Sequence, residues 1–376
     1  MKEHTRTIGI IGGGQLGLMM LEPARRLGFK VKVLDPAADA PCASRADEFI
    51  QGSLYDGTAL KELAENCDAV TYEIEHIAVE PLKELSAQGV NIHPSPETLE
   101  KIQDKYLQKT ILRDAGVPVS RFVLLPEGDG QVLKEFGVPC FQKARRGGYD
   151  GRGVARITGS KPELSGETYL EEEVEIEMEL SVLVARSAAG TEAVYAPVEM
   201  IFLEGADVCD LVIAPAELDK SLSDQASFRA VTAVEAFGGY GVFAVEMFLT
   251  PDDEILVNEI APRPHNSGHY TIEACYTSQF EQHLRAVTGL PLGSTNQIAP
   301  AVMMNLLGEP TAAGTPELMG MKDALTLPGV NIHLYGKSEV RPYRKMGHVT
   351  VLGETIGQAM DTVYKLKKIL YMGGNE

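Results

Sequence analysis

Along the first hundred residues, short β-branched apolar runs alternate with stretches whose apolar positions recur at helical spacing. Residues 7–11 form the first run, a helical pattern follows to Gly28, and residues 30–34 form the second run, ending on Asp35. Residues 57–66 read as the next helix and 69–71 as the next strand. Strand, helix and strand in this order predict a parallel sheet. Pro23 falls inside the first helical pattern and is expected to kink or break it. From 94 to 116 the pattern stays helical, and Gly116-Val117-Pro118 stops it. Beyond lies a mixed region with strands at 121–125, 168–170 and 179–185, then a hairpin of 241–250 with 255–260 around the turn Pro251-Asp252-Asp253-Glu254. A helix is expected over 278–288, with Phe280, Leu284 and Val287 on one face. A strand over 301–307 and a last helix over 355–371 follow. The expected class is therefore α/β and α+β. A parallel-sheet βαβ domain spans 1–102, a mixed domain 103–295 and a small C-terminal domain 296–376.

Composition narrows the function. The 376 residues carry 34 basic and 53 acidic side chains, a net charge of -19. That balance repels nucleic acid and anionic membranes, so neither is an expected partner. An acidic protein that handles anionic metabolites must gather its cations inside a pocket. The 5 cysteines show neither a zinc spacing nor a disulfide framework, and no long uncharged apolar run or leader segment is apparent. A cytoplasmic location is expected.

Residues 143–154 best fit such a pocket. Lys143 opens a loop with 4 glycines and 3 arginines in 12 residues. Glycines bring backbone N–H groups close to phosphate oxygens, and a lysine on the adjoining strand adds a fixed charge. A solvated surface hairpin would use the same dipeptides. Gly12-Gly13-Gly14-Gln15-Leu16-Gly17 after the first strand, with Asp35 ending the second, matches a dinucleotide fingerprint but suits any phosphate. Glu73 and Glu75 follow the strand at 69–71, where open α/β sheets bind ligands, or simply face solvent. The acidic run Glu171-Glu172-Glu173-Val174 reads as a solvated connector or as a hinge whose backbone reads a base edge. In the late hairpin, pairing Thr250 with Ile255 places Phe248 opposite Val257 and Glu246 opposite Glu259. Facing carboxylates repel, so something positive belongs between them: a hard divalent cation, or a lysine or arginine. Asn258 and the polar loop 261–269 follow. Lys337, Arg341, Arg344 and Lys345 place 4 cations within 9 residues, as a solvated turn or a phosphate pocket.

The order of lysine, glycine loop, acidic hinge and facing acids resembles the ATP-grasp superfamily. Gly-Gly-Gly-Gln-Leu-Gly at 12–17, Gly-Gly-Tyr-Asp-Gly-Arg-Gly at 147–153, Asn-Glu-Ile-Ala-Pro-Arg-Pro-His-Asn-Ser-Gly-His at 258–269 and Val-Arg-Pro-Tyr-Arg-Lys-Met-Gly-His at 340–348 resemble the 5-(carboxyamino)imidazole ribonucleotide synthetases of that superfamily. The resemblance implies a ligase that joins bicarbonate to 5-aminoimidazole ribonucleotide at the expense of ATP. It implies a homodimer, with magnesium or manganese as the metal. It assigns ATP to Lys105, Lys143, Gly148, Tyr149, Asp150, Gly151, Arg152, Gly153, Val154, Glu171, Glu172, Glu173, Val174, Glu179, Asn258 and Glu259, and the metal to Glu246 and Glu259. The ribonucleotide falls to Gln15, Leu16, Glu73, Tyr149, Asp150, Arg152, His265, Asn266 and Ser267, with Lys337, Arg344 and Lys345 on its phosphate. Arg263, His265, Asn266 and Ser267 are expected to hold bicarbonate and developing negative charge, and Asp150 or His265 to take the amine proton. Arg146, Val154 and Phe202 depart from the pattern, which is expected to alter ATP affinity rather than abolish activity.

Three other readings compete. A formate-using ribonucleotide transformylase would share the fold and would release ADP with formate instead of bicarbonate. A nicotinamide-dependent oxidoreductase would use the first glycine turn and leave the facing acids without a role. A nucleotide sensor would bind ATP without turnover.

Overall fold

The structure, a computed structural model, describes residues 6–375 apart from 128, 148–152, 160 and 207. The N-terminal sheet is wholly parallel, in the order Glu48–Gln51, Lys30–Asp35, Thr7–Ile11, Ala69–Tyr72. The strands Thr7–Ile11 and Ala69–Tyr72 are short and almost wholly buried, as expected where helices cover both faces, whereas the edge strand Glu48–Gln51 buries only Ile50. The helix Gln15–Arg26 runs through Pro23, which therefore does not break it. Pro23 is buried in the last turns, where little helix remains to be disrupted. The edge strand Glu48–Gln51 has no counterpart in the sequence reading, because four residues carry too short a pattern to separate from loop.

The helical stretch after Pro94 divides at Asp104 into Pro96–Gln103 and Lys105–Asp114. Asp104 is extended, and its carboxylate caps the second helix by accepting from Leu107 N at 3.1 Å. Next comes a four-stranded antiparallel sheet in the order Phe122–Leu125, Thr168–Glu172, Cys140–Ala144, Val154–Ile157. The largest sheet has 9 strands. Its path runs Ile255–Ala261, Gly241–Leu249, Met178–Arg186, Val198–Phe202, Cys209–Ala214, Ala301–Leu307, Lys345–Leu352, Val330–Leu334. It crosses residue 295 without interruption, so the C-terminal segment extends the central sheet instead of forming a separate layer.

The helix Lys220–Phe237 packs Ala226, Ala230, Ala233 and Phe237 against Phe243, Val245 and Val257. Its alanine stripe at spacings of three and four is a helical signal that the sequence reading passed over. Phe280, Leu284 and Val287 are buried on the helix Gln279–Val287, as expected. His283 on that helix accepts from Val242 N at 3.0 Å through Nδ1, so its Nε2 carries the proton towards Thr71 Oγ1 at 2.7 Å. One imidazole thus joins the N-terminal sheet to the central sheet.

Candidate active site

The clefts between these layers merge into one cavity of about 680 Å³. The hairpin forms one wall. Its register starts one residue away from expectation, Leu249 pairing with Ile255 and Met247 with Val257. A bulge after Glu246 then leaves Asn258 as an extra residue and restores the pair Glu246 and Glu259. The bulge has a second effect. Consecutive residues Asn258 and Glu259 both line the cavity, which regular alternation forbids.

The positive group beside these acids is Lys105, at the start of its helix, with Nζ 2.6 Å from Glu259 Oε2. Lys105 holds Glu259 well below the usual carboxylate range, whereas burial and the Glu259 charge drive Glu246 well above it. One ammonium therefore satisfies one acid, and the second remains costly. A divalent cation fits this imbalance. Among the described residues no three His, Cys, Asp or Glu side chains converge as a metal group. An ion held by Glu246 and Glu259 would complete its shell with ligand oxygens and water, as magnesium does with nucleotide phosphates.

Glu246 is also oriented from behind. His265 Nε2 lies 3.2 Å from Glu246 Oε1, and His265 Nδ1 accepts from Ser267 N at 3.4 Å and lies 3.0 Å from Ser267 Oγ. The proton of this neutral imidazole therefore sits on Nε2, facing Glu246. Burial, with Arg263 and Lys345 nearby, lowers its pKa to about 3. His265 thus orients the carboxylate, and its acceptor nitrogen is occupied by Ser267. That geometry argues against His265 as the base. Ser267 itself is buried and bonds Ser181 Oγ at 2.8 Å, so it supports the loop instead of lining the cavity. Asn266 exchanges two amide hydrogen bonds with Asn305, at 2.9 and 2.8 Å. Arg263 pairs with Glu75 at 2.8 Å across the domain junction.

Lys143, Gly153, Val154, Glu172, Val174 and Glu179 also line the cavity, with Phe202 among its apolar walls. Gly148, Tyr149, Asp150, Gly151 and Arg152 lie outside the described residues. Glu171 does not belong to a solvated connector. Its buried carboxylate sits between Lys109 at 2.7 Å and Lys143 at 2.8 Å and also accepts from Ser120. Burial alone would raise its pKa, but the two lysines override that and hold it at about 2. Its charge therefore stabilises the fold above the ordinary carboxylate pKa, and this contribution is lost as pH falls from about 4.5 towards about 2. Glu171→Gln is expected to flatten that part of the stability curve, measured by urea unfolding at stepped pH. An acid limb as steep as the parent's would contradict it. Glu173 turns outward onto Arg156 at 2.8 Å.

The first glycine turn is filled from within. Glu73 accepts from Gly14 N at 2.6 Å and Gly17 N at 2.9 Å, and Asp35 accepts from Gly13 N at 2.7 Å. A Cβ on Gly14 would lie 2.5 Å from Glu73 Oε1, so only glycine admits the carboxylate. These amides hold the protein's own acids, and a dinucleotide phosphate has no place there. Gln15 is half-buried, and the Leu16 side chain packs into the core with Met20. Of the late cations, Lys345 reaches the cavity. Lys337 donates to Lys345 O at 2.8 Å, and Arg344 donates to Glu339 O at 2.5 Å, on the turn beside Asp39.

Sequence reading missed Lys109, Asn305 and Ser181. Lys109 follows Lys105 by one helical turn, a spacing that could have marked it. Asn305 and Ser181 sit in apolar strands and carry no such signal.

Family models match the chain in the same order as its layers: a ribonucleotide synthetase preATP-grasp domain over 5–103, an ATP-grasp domain over 110–280 and a phosphoribosylaminoimidazole carboxylase C-terminal domain over 301–362. N5-carboxyaminoimidazole ribonucleotide synthase of Bacillus subtilis is 40% identical over 356 residues, covering 92% of this chain and 91% of that protein. The chain belongs to the N5-carboxyaminoimidazole ribonucleotide synthase family. Within it, the Thermotoga maritima synthetase crystal structure is 50% identical, covers 98% of this chain and all of its own, and superposes with a TM-score of 0.91. The Aspergillus clavatus synthase, solved with ADP and 5-aminoimidazole ribonucleotide, is 35% identical with a TM-score of 0.87 and covers 97% of this chain and 98% of its own. The chain is also 40% identical to the chloroplastic phosphoribosylaminoimidazole carboxylase of Vigna aconitifolia, of which it spans 64%. Among the described residues no helix is long and apolar enough to cross a membrane.

Proposed function

We propose that this protein carboxylates 5-aminoimidazole ribonucleotide, using ATP and bicarbonate and releasing ADP and phosphate, in purine biosynthesis. The observation that carries the reading is the facing pair Glu246 and Glu259, placed with Lys105 and Lys143 on a single cavity in a chain of this family. Magnesium or manganese on the two acids would supply charge neutralisation for the phosphates. The chain's own residues do the rest. Lys143 and Lys105 offset the charge that spreads over the transferring phosphoryl group, as positioning and electrostatics dominate such transfers. Bicarbonate oxygen takes the phosphoryl group, ADP leaves, and the resulting carboxyphosphate carries a good leaving group. The exocyclic amine then attacks its carboxyl carbon, the C–O bond to phosphate breaks, and the amine loses a proton. Asp150 is the remaining candidate for that proton, given the position of His265. Gly147, exposed, and Gly153, half-buried, both line the cavity and suit a lid that excludes water from the short-lived intermediate.

Lys345 reaches the cavity near Glu246 and His265 and suits the ribonucleotide phosphate, with Lys337 and Arg344 on the same turn. Lys345→Ala is expected to raise the Michaelis constant for the ribonucleotide by about tenfold, the scale of one charge-assisted contact, with that for ATP little changed. An effect confined to ATP would move this cluster to the other substrate. We place the protein in the cytoplasm as a homodimer. The decisive experiment is phosphate release with each of the three substrates omitted in turn. Turnover that needs all three supports the reading, and turnover that accepts formate for bicarbonate overturns it.

A further inference from the structure

Lys109 lies outside every role assigned so far. It is a lysine with 3% of its side chain accessible, one helical turn after Lys105, and it lines the same cavity as Lys143 and Glu171. Its ammonium has three donors and three acceptors: Glu171 Oε1 at 2.7 Å, Ser120 Oγ at 3.2 Å and Val257 O at 3.2 Å. No donor is left for a ligand. Whatever Lys109 does in function, it does through Glu171, whose other oxygen lies 2.8 Å from Lys143 Nζ.

We infer that Lys109 is a positioning residue for the nucleotide phosphates, because it shares Glu171 with Lys143 and so leaves Lys143 a net positive charge facing the cavity. The argument is one of charge balance. A carboxylate held by Lys143 alone would form a neutral pair, turned into the protein and of little use to a phosphate. With a second lysine on its other oxygen, the trio keeps a net charge of one, and Glu171 still fixes where Lys143 points. The arrangement also ties the two sheets that flank the cavity, since Glu171 belongs to the four-stranded sheet and Val257 to the nine-stranded one. This inference rests on the ATP reading above.

The test is calorimetric binding of a non-hydrolysable ATP analogue, with thermal melting of each variant to certify the fold. Lys109→Met keeps the stem and removes the charge, and it is expected to weaken the analogue by about tenfold while the ribonucleotide binds within about twofold of the parent. Glu171→Gln added to Lys109→Met removes the compensating charge as well and is expected to return analogue affinity to within about threefold of the parent. A merely structural lysine would lower the melting temperature in the single variant without this restoration. Parental affinity in a folded Lys109→Met, or a double variant that binds as poorly as the single, overturns the inference. Should Lys109→Met fail to fold, the double variant decides alone: near-parental affinity supports the charge argument and a tenfold loss refutes it. If the parent protein itself ignores the analogue, the ATP reading fails first and takes this inference with it.

Discussion

Glu259→Gln is expected to reduce turnover by about a thousandfold or more while the protein stays folded, the scale seen when preorganised charge is removed from a transfer site. Three effects add. The variant loses a carboxylate that faces Glu246, and so half of the protein's share of a cation site. Lys105, now 2.6 Å from a neutral amide, loses its ion-pair partner. Glu246 loses the neighbour whose charge raises its pKa and so ionises more readily. The fold should tolerate this, because the Glu259 side chain is 41% accessible from the cavity and the hairpin ladder is untouched. The check is phosphate release at saturating substrates across a magnesium titration, beside a melting curve. Turnover within tenfold of the parent, with unchanged metal dependence, would remove Glu259 from the chemistry.

Gly268→Ala is expected to destabilise the protein by about 3 kcal/mol, at the upper end for overpacking a tight core. A Cβ there would lie 2.4 Å from both Gln279 Oε1 and Leu183 Cδ1, where side chains cannot settle. Gln279 is the strut of the active-site loop. Its Oε1 accepts from His265 N at 2.8 Å, and its Nε2 donates to His265 O at 2.7 Å. Pushing Gln279 aside therefore moves His265 from Glu246, and activity should fall together with the melting temperature. A variant that melts like the parent would mean that the loop absorbs the methyl group.

The sequence carried the chemistry further than the architecture. The alternation from Gly241 to Ile260 was enough to set Glu246 against Glu259, although by way of a compensated slip. The count from the turn ran one residue off, and the bulge at Asn258 corrected it. A bulge leaves no mark in a two-residue period, so its gain, Asn258 and Glu259 both at the cavity, was illegible. The glycine turn at 12–17 was legible as a helix start but not as a filled one, because nothing local tells that Glu73 folds back onto it across 59 residues. Glu171 misled for a related reason. Three acids in a row read as solvated unless two distant lysines are known to meet one of them. Lys109 and Ser120 come from other segments, and only the tertiary structure brings them together.

The unbroken nine-stranded sheet bears on how the chain divides. Cys209–Ala214 donates one of its edges to Ala301–Leu307, residue for residue from Leu211 with Met304 to Ala214 with Ala301. A fragment ending near residue 295 would bare that row of amides and carbonyls along an apolar strand, an invitation to stick to other copies. Cutting this protein at its apparent seam should therefore yield precipitate, not a soluble nucleotide-binding half.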